Sequence, residues 1–275
     1  MPGSRRREWR RSTGMNTGID IRVEADTGAA LQAAADVLLE AARSAAAGGA
    51  FLSIAISGGS TPRGMHRLWA QDPYASGIAW DRTHLFWADE RLVPYAHPDS
   101  NFGAARTDFI EKLAMRPAGV HPVPVAGDPE VLARRYEEEL RAHFHMRRLA
   151  EPVFDLIILG VGADGHTASL FPGSPALEER LRWTAAVKGG QPEVWRVTLT
   201  YAVLNRARRV VFLACGASKA AVVRRVLTAL PPELPAQRVR PPGGRVTWVL
   251  DPAAAALLEP AVGASAPDEK APYRK

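Results

Sequence analysis

The stretch FLSIAISGGSTP, residues 51–62, decides how the chain is to be read. Residues 51–56 are apolar except for Ser53, so an extended segment there is driven to bury both of its faces. Gly58 and Gly59 then allow a tight turn, Ser60 and Thr61 add hydroxyls, and Pro62 suits a first helical turn. A helical stretch over 64–70 follows. Strand, glycine turn and helix make half of a βαβ unit.

The same alternation runs outward in both directions. Upstream, 19–23 reads as an opening edge strand. From Thr27 a helix places Leu31, Ala34, Ala35, Leu38, Leu39 and Ala42 on one face, and Gly48-Gly49 stops it. Downstream, short apolar runs at 83–87, 155–159, 210–214 and 246–250 read as further buried strands, with 196–200 as a sixth. Leu132, Tyr136, Leu140 and Phe144 mark one intervening helix, and Val222, Val223, Val226, Leu227 and Leu230 mark another. Buried strands separated by amphipathic helices predict an α/β fold: a single Rossmann-like, doubly wound domain whose mainly parallel sheet carries helices on both faces. Residues 231–244 hold five prolines and two glycines and read as a stiff surface loop.

The chain has 275 residues, 47% hydrophobic and 23% charged, which excludes global disorder. Its formal charge of +6 invites a nucleic-acid reading. However, residues 1–14 hold five arginines against Glu8 alone, a net +4. The basic signal thus belongs mainly to a short arm, expected to be disordered, and Met15 just after it is an alternative translation start. The domain is expected over 15–263, with a frayed tail at 264–275. No apolar stretch of signal-peptide length follows the arginines, and no run reaches the roughly 18 residues of a spanning helix. The lone Cys215 cannot close an intrachain disulfide. These features predict a cytoplasmic protein, a monomer or small homo-oligomer, with no nucleic-acid or membrane partner.

In doubly wound sheets, ligands bind beyond the carboxyl ends of the strands, so the loops there carry the candidates. Loop 57–61 (Ser57, Gly58, Gly59, Ser60, Thr61) presents backbone amides and a helix end to an anion, ideally a phosphate. It lacks the Gly-Lys-Ser/Thr of a Walker A loop, and an ordinary capped turn uses the same residues. After 83–87 come Asp89-Glu90-Arg91 and, further on, Ser100-Asn101. A carboxylate there suits acid–base or sugar-hydroxyl contacts, and an arginine suits an anion, with an internal ion pair as the plain alternative.

After 155–159 comes GVGADGHTASLFP, residues 160–172. Gly160, Gly162 and Gly165 satisfy G-x-G-x-x-G, but mid-chain, and the next strand candidate, 183–187, ends at Lys188 rather than at a ribose-binding acid. What stands out is Asp164 beside His166, a histidine able to take and return a proton with a carboxylate to set its tautomer. A histidine capping a helix at Thr167 is the bland alternative. Arg196 and Lys219 lie at two further strand ends, and Lys219 opposes a helix dipole unless an anion is near. His143 and His145 point to different sides of a helix, so neither a metal nor any cofactor is called for.

These segments occur in the same order in the 6-phosphogluconolactonases, which the chain resembles over roughly 19–258: residues 57–62, Asp89-Glu90-Arg91, Ser100-Asn101, the specific string at 164–172, then 196–200, 216–219 and Pro235-Ala236-Gln237. The resemblance implies a sugar-phosphate substrate, 6-phosphogluconolactone, hydrolysed in the oxidative pentose phosphate pathway. It implies His166 as the general base that activates water and Asp164 as its support. Loop 57–61, Arg196 and Lys219 would hold the phosphate, and Asp89, Arg91 and Asn101 would line the sugar pocket. Glucosamine-6-phosphate deaminases are similar, but carry a glutamate after the histidine where this chain has Ser169-Leu170-Phe171-Pro172. Sugar-phosphate-sensing regulators share the fold but need a DNA-binding module that 14 residues cannot supply.

Overall fold

The computed structural model describes residues 7–9 and 19–258. In chain order the elements are β1 (Arg7–Trp9), β2 (Ile19–Val23), α1 (Thr27–Ala47), β3 (Leu52–Ile56), α2 (Ser60–Trp69), α3 (Tyr74–Gly77), β4 (Thr83–Trp87), β5 (Asp89–Arg91), α4 (Asn101–Asp108) and β6 (Gly119–His121). They continue with α5 (Pro129–Met146), β7 (Leu156–Leu159), β8 (Thr184–Gly189), β9 (Val194–Leu199), α6 (Tyr201–Leu204), β10 (Arg209–Ala214), α7 (Ala220–Thr228) and β11 (Arg245–Leu250).

The helix boundaries have local causes. Asp26 caps α1 by accepting from the Ala29 amide at 2.8 Å, and Gly48 ends it. Asp128 caps α5 through the Val131 amide, with Pro129 in the first turn. Every residue of β3 and β7 is buried, as strands covered on both faces must be.

Eight strands form the main sheet in the order β1-β2-β11-β10-β7-β3-β4-β6, parallel throughout except for β1 on β2. The fold is therefore the expected doubly wound α/β architecture. Successive strands move from β3 through β4 to β6 on one side, then return to β7 on the other. The order reverses between β3 and β7, and the crevice of such a sheet opens at that switch point.

Three expectations change. The sixth strand, at 196–200, does not join the parallel sheet. As β9 it is the centre of a three-stranded antiparallel sheet, β5-β9-β8, laid across the carboxyl end. The arm at 1–14, expected without structure, contributes β1, which pairs antiparallel with β2 so that β2 is not an edge. The rest of the arm and the tail at 264–275 lie outside the described residues. Residues 231–244 are not a surface loop throughout, since Leu234, Pro235, Ala236, Gln237, Val239 and Pro241 are buried.

Among the described residues no helix is long and apolar enough to cross a membrane.

Candidate active site

The switch point gathers the candidate residues into one cleft of about 210 Å³. Ser57, Gly58, Gly59, Ser60, Thr61, Asp89, Arg91, Asn101, His166, Arg196 and Lys219 all line it. Asp164 stands behind the wall, bonded to His166.

One wall is backbone. Gly59 adopts φ 106°, a left-handed conformation that costs other residues strain, and it leads directly into α2. No side chain caps that helix, so the leading amides and the positive helix end face the cleft. Ser57 Oγ is buried on this wall with no hydrogen-bond partner among the described residues. Gly58 is required for another reason: a Cβ there would overlap the Asn101 side chain.

Asn101 is itself fixed. Its amide nitrogen donates to the Asp89 carbonyl at 2.8 Å. Along β5 the side chains alternate, so Asp89 and Arg91 face the cleft while Glu90 turns inward and is fully buried. The Glu90 carboxyl accepts from the amides of Asn101 and Phe102, both at 2.7 Å, and so caps α4. Burial pushes it up to about 7, against the pull of those amides. The charge run read as a single feature thus divides into two cleft residues and one scaffold residue.

The opposite wall is built from side chains. The Asp164 carboxylate sits 2.6 Å from His166 Nδ1 and also accepts from the His166 amide at 3.1 Å. Burial raises the Asp164 carboxyl, but the bonds and charge of His166 outweigh it and hold it below its ordinary value. With Nδ1 against a carboxylate, that nitrogen carries the proton and Nε2 keeps its lone pair. Gly162 leaves room for this pair, because a Cβ there would overlap the imidazole and lie 2.7 Å from Asp164 Oδ1.

No helix begins at Thr167, so the capping alternative fails. Instead Ala168 takes a left-handed φ of 48°, which costs a non-glycine residue on the order of 1–2 kcal/mol. The surroundings hold it there: Thr167 Oγ1 donates to the Gly160 carbonyl, and the Ser169 amide donates to Thr198 Oγ1.

Arg196 is 7% exposed, donates to the Gly189 carbonyl at 3.1 Å, and lies over the Phe171 ring. Burial lowers its pKa, with Asp89 opposing the shift from 3.9 Å. Lys219 Nζ donates to the Val161 carbonyl at 2.8 Å, which offsets the unfavourable dipole of α7. The cleft therefore combines three cations, open amides and one histidine with a free nitrogen.

Three residues that support the site are given no role by the sequence reading. Ser169 donates to Asp89 at 2.6 Å and ties the histidine loop to the second sheet. Asp251, at the end of β11, accepts from the Gly216 amide and from Thr27 Oγ1, fixing the turn that carries Lys219. An acid directly after an apolar run was the available signal, the same one that marks Asp89. Leu234 packs against Gly165, whose carbonyl accepts from the Ala236 amide at 3.0 Å, so the proline-rich segment clamps the histidine loop. Among the described residues, three histidines with converging donor atoms lie outside this cleft.

The family described as glucosamine-6-phosphate isomerases/6-phosphogluconolactonase matches residues 25–248. A 6-phosphogluconolactonase of a Synechocystis species is 43% identical over 213 residues, 76% of this chain and 85% of that protein. One from Rattus norvegicus is 43% identical over 208 residues, 75% of this chain and 80% of that protein. The solved structure of 6-phosphogluconolactonase from Trypanosoma cruzi superposes with a TM-score of 0.79 at 31% identity, covering 89% of this chain and 98% of that one.

Proposed function

The chain belongs to the family of glucosamine-6-phosphate isomerases and 6-phosphogluconolactonases, and on that premise we propose that it hydrolyses 6-phosphogluconolactone to 6-phosphogluconate in the oxidative pentose phosphate pathway. The observation that carries the reading is the 2.6 Å contact of His166 Nδ1 with Asp164, which leaves Nε2 as the free base on the cleft wall opposite the open amides.

The phosphate lies on the amides of loop 57–61, with Arg196 and Lys219 supplying charge. Asp89, Arg91 and Asn101 meet the sugar. His166 Nε2 takes a proton from water as its oxygen bonds to the lactone carbonyl carbon. The tetrahedral intermediate then expels the ring oxygen, which receives that proton from His166, and the new carboxylic acid ionises in solvent. Asp164 stabilises the transient imidazolium and keeps the ring in register. No covalent enzyme intermediate is needed, because water attacks an activated cyclic ester directly. The protein works in this reading as a cytoplasmic enzyme, a monomer or small homo-oligomer, without a nucleic-acid partner.

The test follows acid release from fresh 6-phosphogluconolactone above its spontaneous rate. His166→Ala is expected to lower kcat about 10²–10⁴-fold with the fold intact. Turnover like that of the parent protein in this variant overturns the mechanism. Ammonia release from glucosamine 6-phosphate points instead to the other activity in the family's name.

A further inference from the structure

Away from the cleft, three histidines converge that the hydrolytic reading does not use. His84 lies on β4, His121 on β6 and His143 on α5, each with one ligating nitrogen within 4.8 Å of the others. His84 Nδ1 and His121 Nε2 are 3.0 Å apart. Nitrogens bound to one tetrahedral zinc at about 2.0–2.1 Å sit roughly 3.4 Å from each other. Ring rotations that give up the His84–His121 contact and the 2.7 Å contact of His143 Nε2 with Ser53 Oγ bring the set to coordination distance.

Two neighbours fit the same purpose. Glu139 meets His121 Nδ1 at 2.6 Å, which places the proton on that nitrogen and turns the Nε2 lone pair inward, the arrangement carboxylates impose on metal-bound histidines. Gly119 supplies space. A Cβ at that position would overlap both His84 Nδ1 and His121 Nε2, so the missing side chain leaves a gap between the two donors. The nearby Arg147 charge is met by Asp155 at 3.2 Å. His84 and His121 are half-buried, which leaves a way in from solvent.

We propose that His84, His121 and His143 form a site for a divalent transition metal such as zinc, with Glu139 as its orienting partner and a fourth position open. The site is separate from the hydrolytic cleft.

The test titrates the full chain, stripped of metal by chelation, with cobalt(II). One equivalent is expected to bind, with the visible absorption of tetrahedral cobalt, and zinc displaces it. His121→Gln abolishes the signal. Gly119→Ala does the same with all three histidines present, because its methyl occupies the metal's place. Glu139→Gln weakens binding about 10–100-fold. His166→Ala binds as the parent does. No uptake by the parent, uptake unchanged in both His121→Gln and Gly119→Ala, or uptake lost only in His166→Ala overturns the proposal. His121 and Gly119 are chosen over the buried His143 so that folding survives, which circular dichroism verifies.

Discussion

Two glycine loops leave neighbouring strands β3 and β7 and use their glycines in opposite ways. After β3, glycine exposes backbone: Gly59 turns the chain into α2, and no side chain caps the leading amides. After β7, glycine makes room for side chains: Gly162 clears the space in which His166 and Asp164 meet, and no helix follows. Similar composition thus yields an anion cradle in one loop and a proton-transfer device in the other. What separates them is the continuation of the chain, a helix whose dipole favours charge on one side, a strained turn pinned by Thr167 and Ser169 on the other.

This division predicts kinetic signatures that differ by loop. Gly162→Ala should act on chemistry, with the largest effect on turnover. Its methyl displaces the imidazole, and kcat falls about 10²-fold while KM stays within a few-fold. A rise in KM without loss of kcat breaks the division. Gly58→Ala should act on binding: its methyl overlaps Asn101, KM rises about 10-fold, and urea unfolding reports a loss of about 1–3 kcal/mol from overpacking. Equal loss of kcat would show that the loop after β3 serves chemistry too. Lys219→Gln is the mildest, because Arg196 and the amides remain. KM for the phosphorylated substrate rises several-fold with kcat nearly unchanged, and rising ionic strength narrows the gap to the parent. Steady-state kinetics at two salt concentrations decide it.

Much of the fold was legible because its causes are local. The run at 83–87 emerges as β4 with the same bounds, and the periodic helix from Thr27 ends one residue before Gly48. Burial on both faces leaves a mark in every residue of a strand. The strand read at 196–200, observed as 194–199, was harder to place, since strand-forming residues do not say which sheet they join. Its partners in the second sheet, 89–91 and 184–189, differ in sequence distance, and the sheet serves both sides: Asp89, Arg91 and Arg196 line the cleft while Ala185 and Val187 join the core. Most candidate residues came together because they follow strands at the same end of the main sheet, while Arg196 reaches the cleft from within β9 of the second sheet. Ser169 was passed over because its work is to hold another residue, which nothing in its immediate neighbours announces, and Asp251 was passed over although an acid after an apolar run marks it.

The residues alone carried the alternation of the main buried strands and helices, the two glycine loops, and the chemistry offered at most strand ends, whereas β1, β5, β6, α3, α4 and α6 emerged only in the structure. Tertiary structure alone decided which distant residues meet. Ser169 reaches Asp89 across 80 positions, and Gly58 owes its missing side chain to Asn101. The same holds for the histidines. His143 beside His145 offers a poor ligand pair on one helix, yet it joins His84 and His121 once β6 pairs with β4 and α5 packs beneath them. The physical reason is that hydrophobic pattern and turn chemistry act over a few residues. Contacts between elements depend on strand order, and the reversal between β3 and β7 is a property of the packed sheet as a whole.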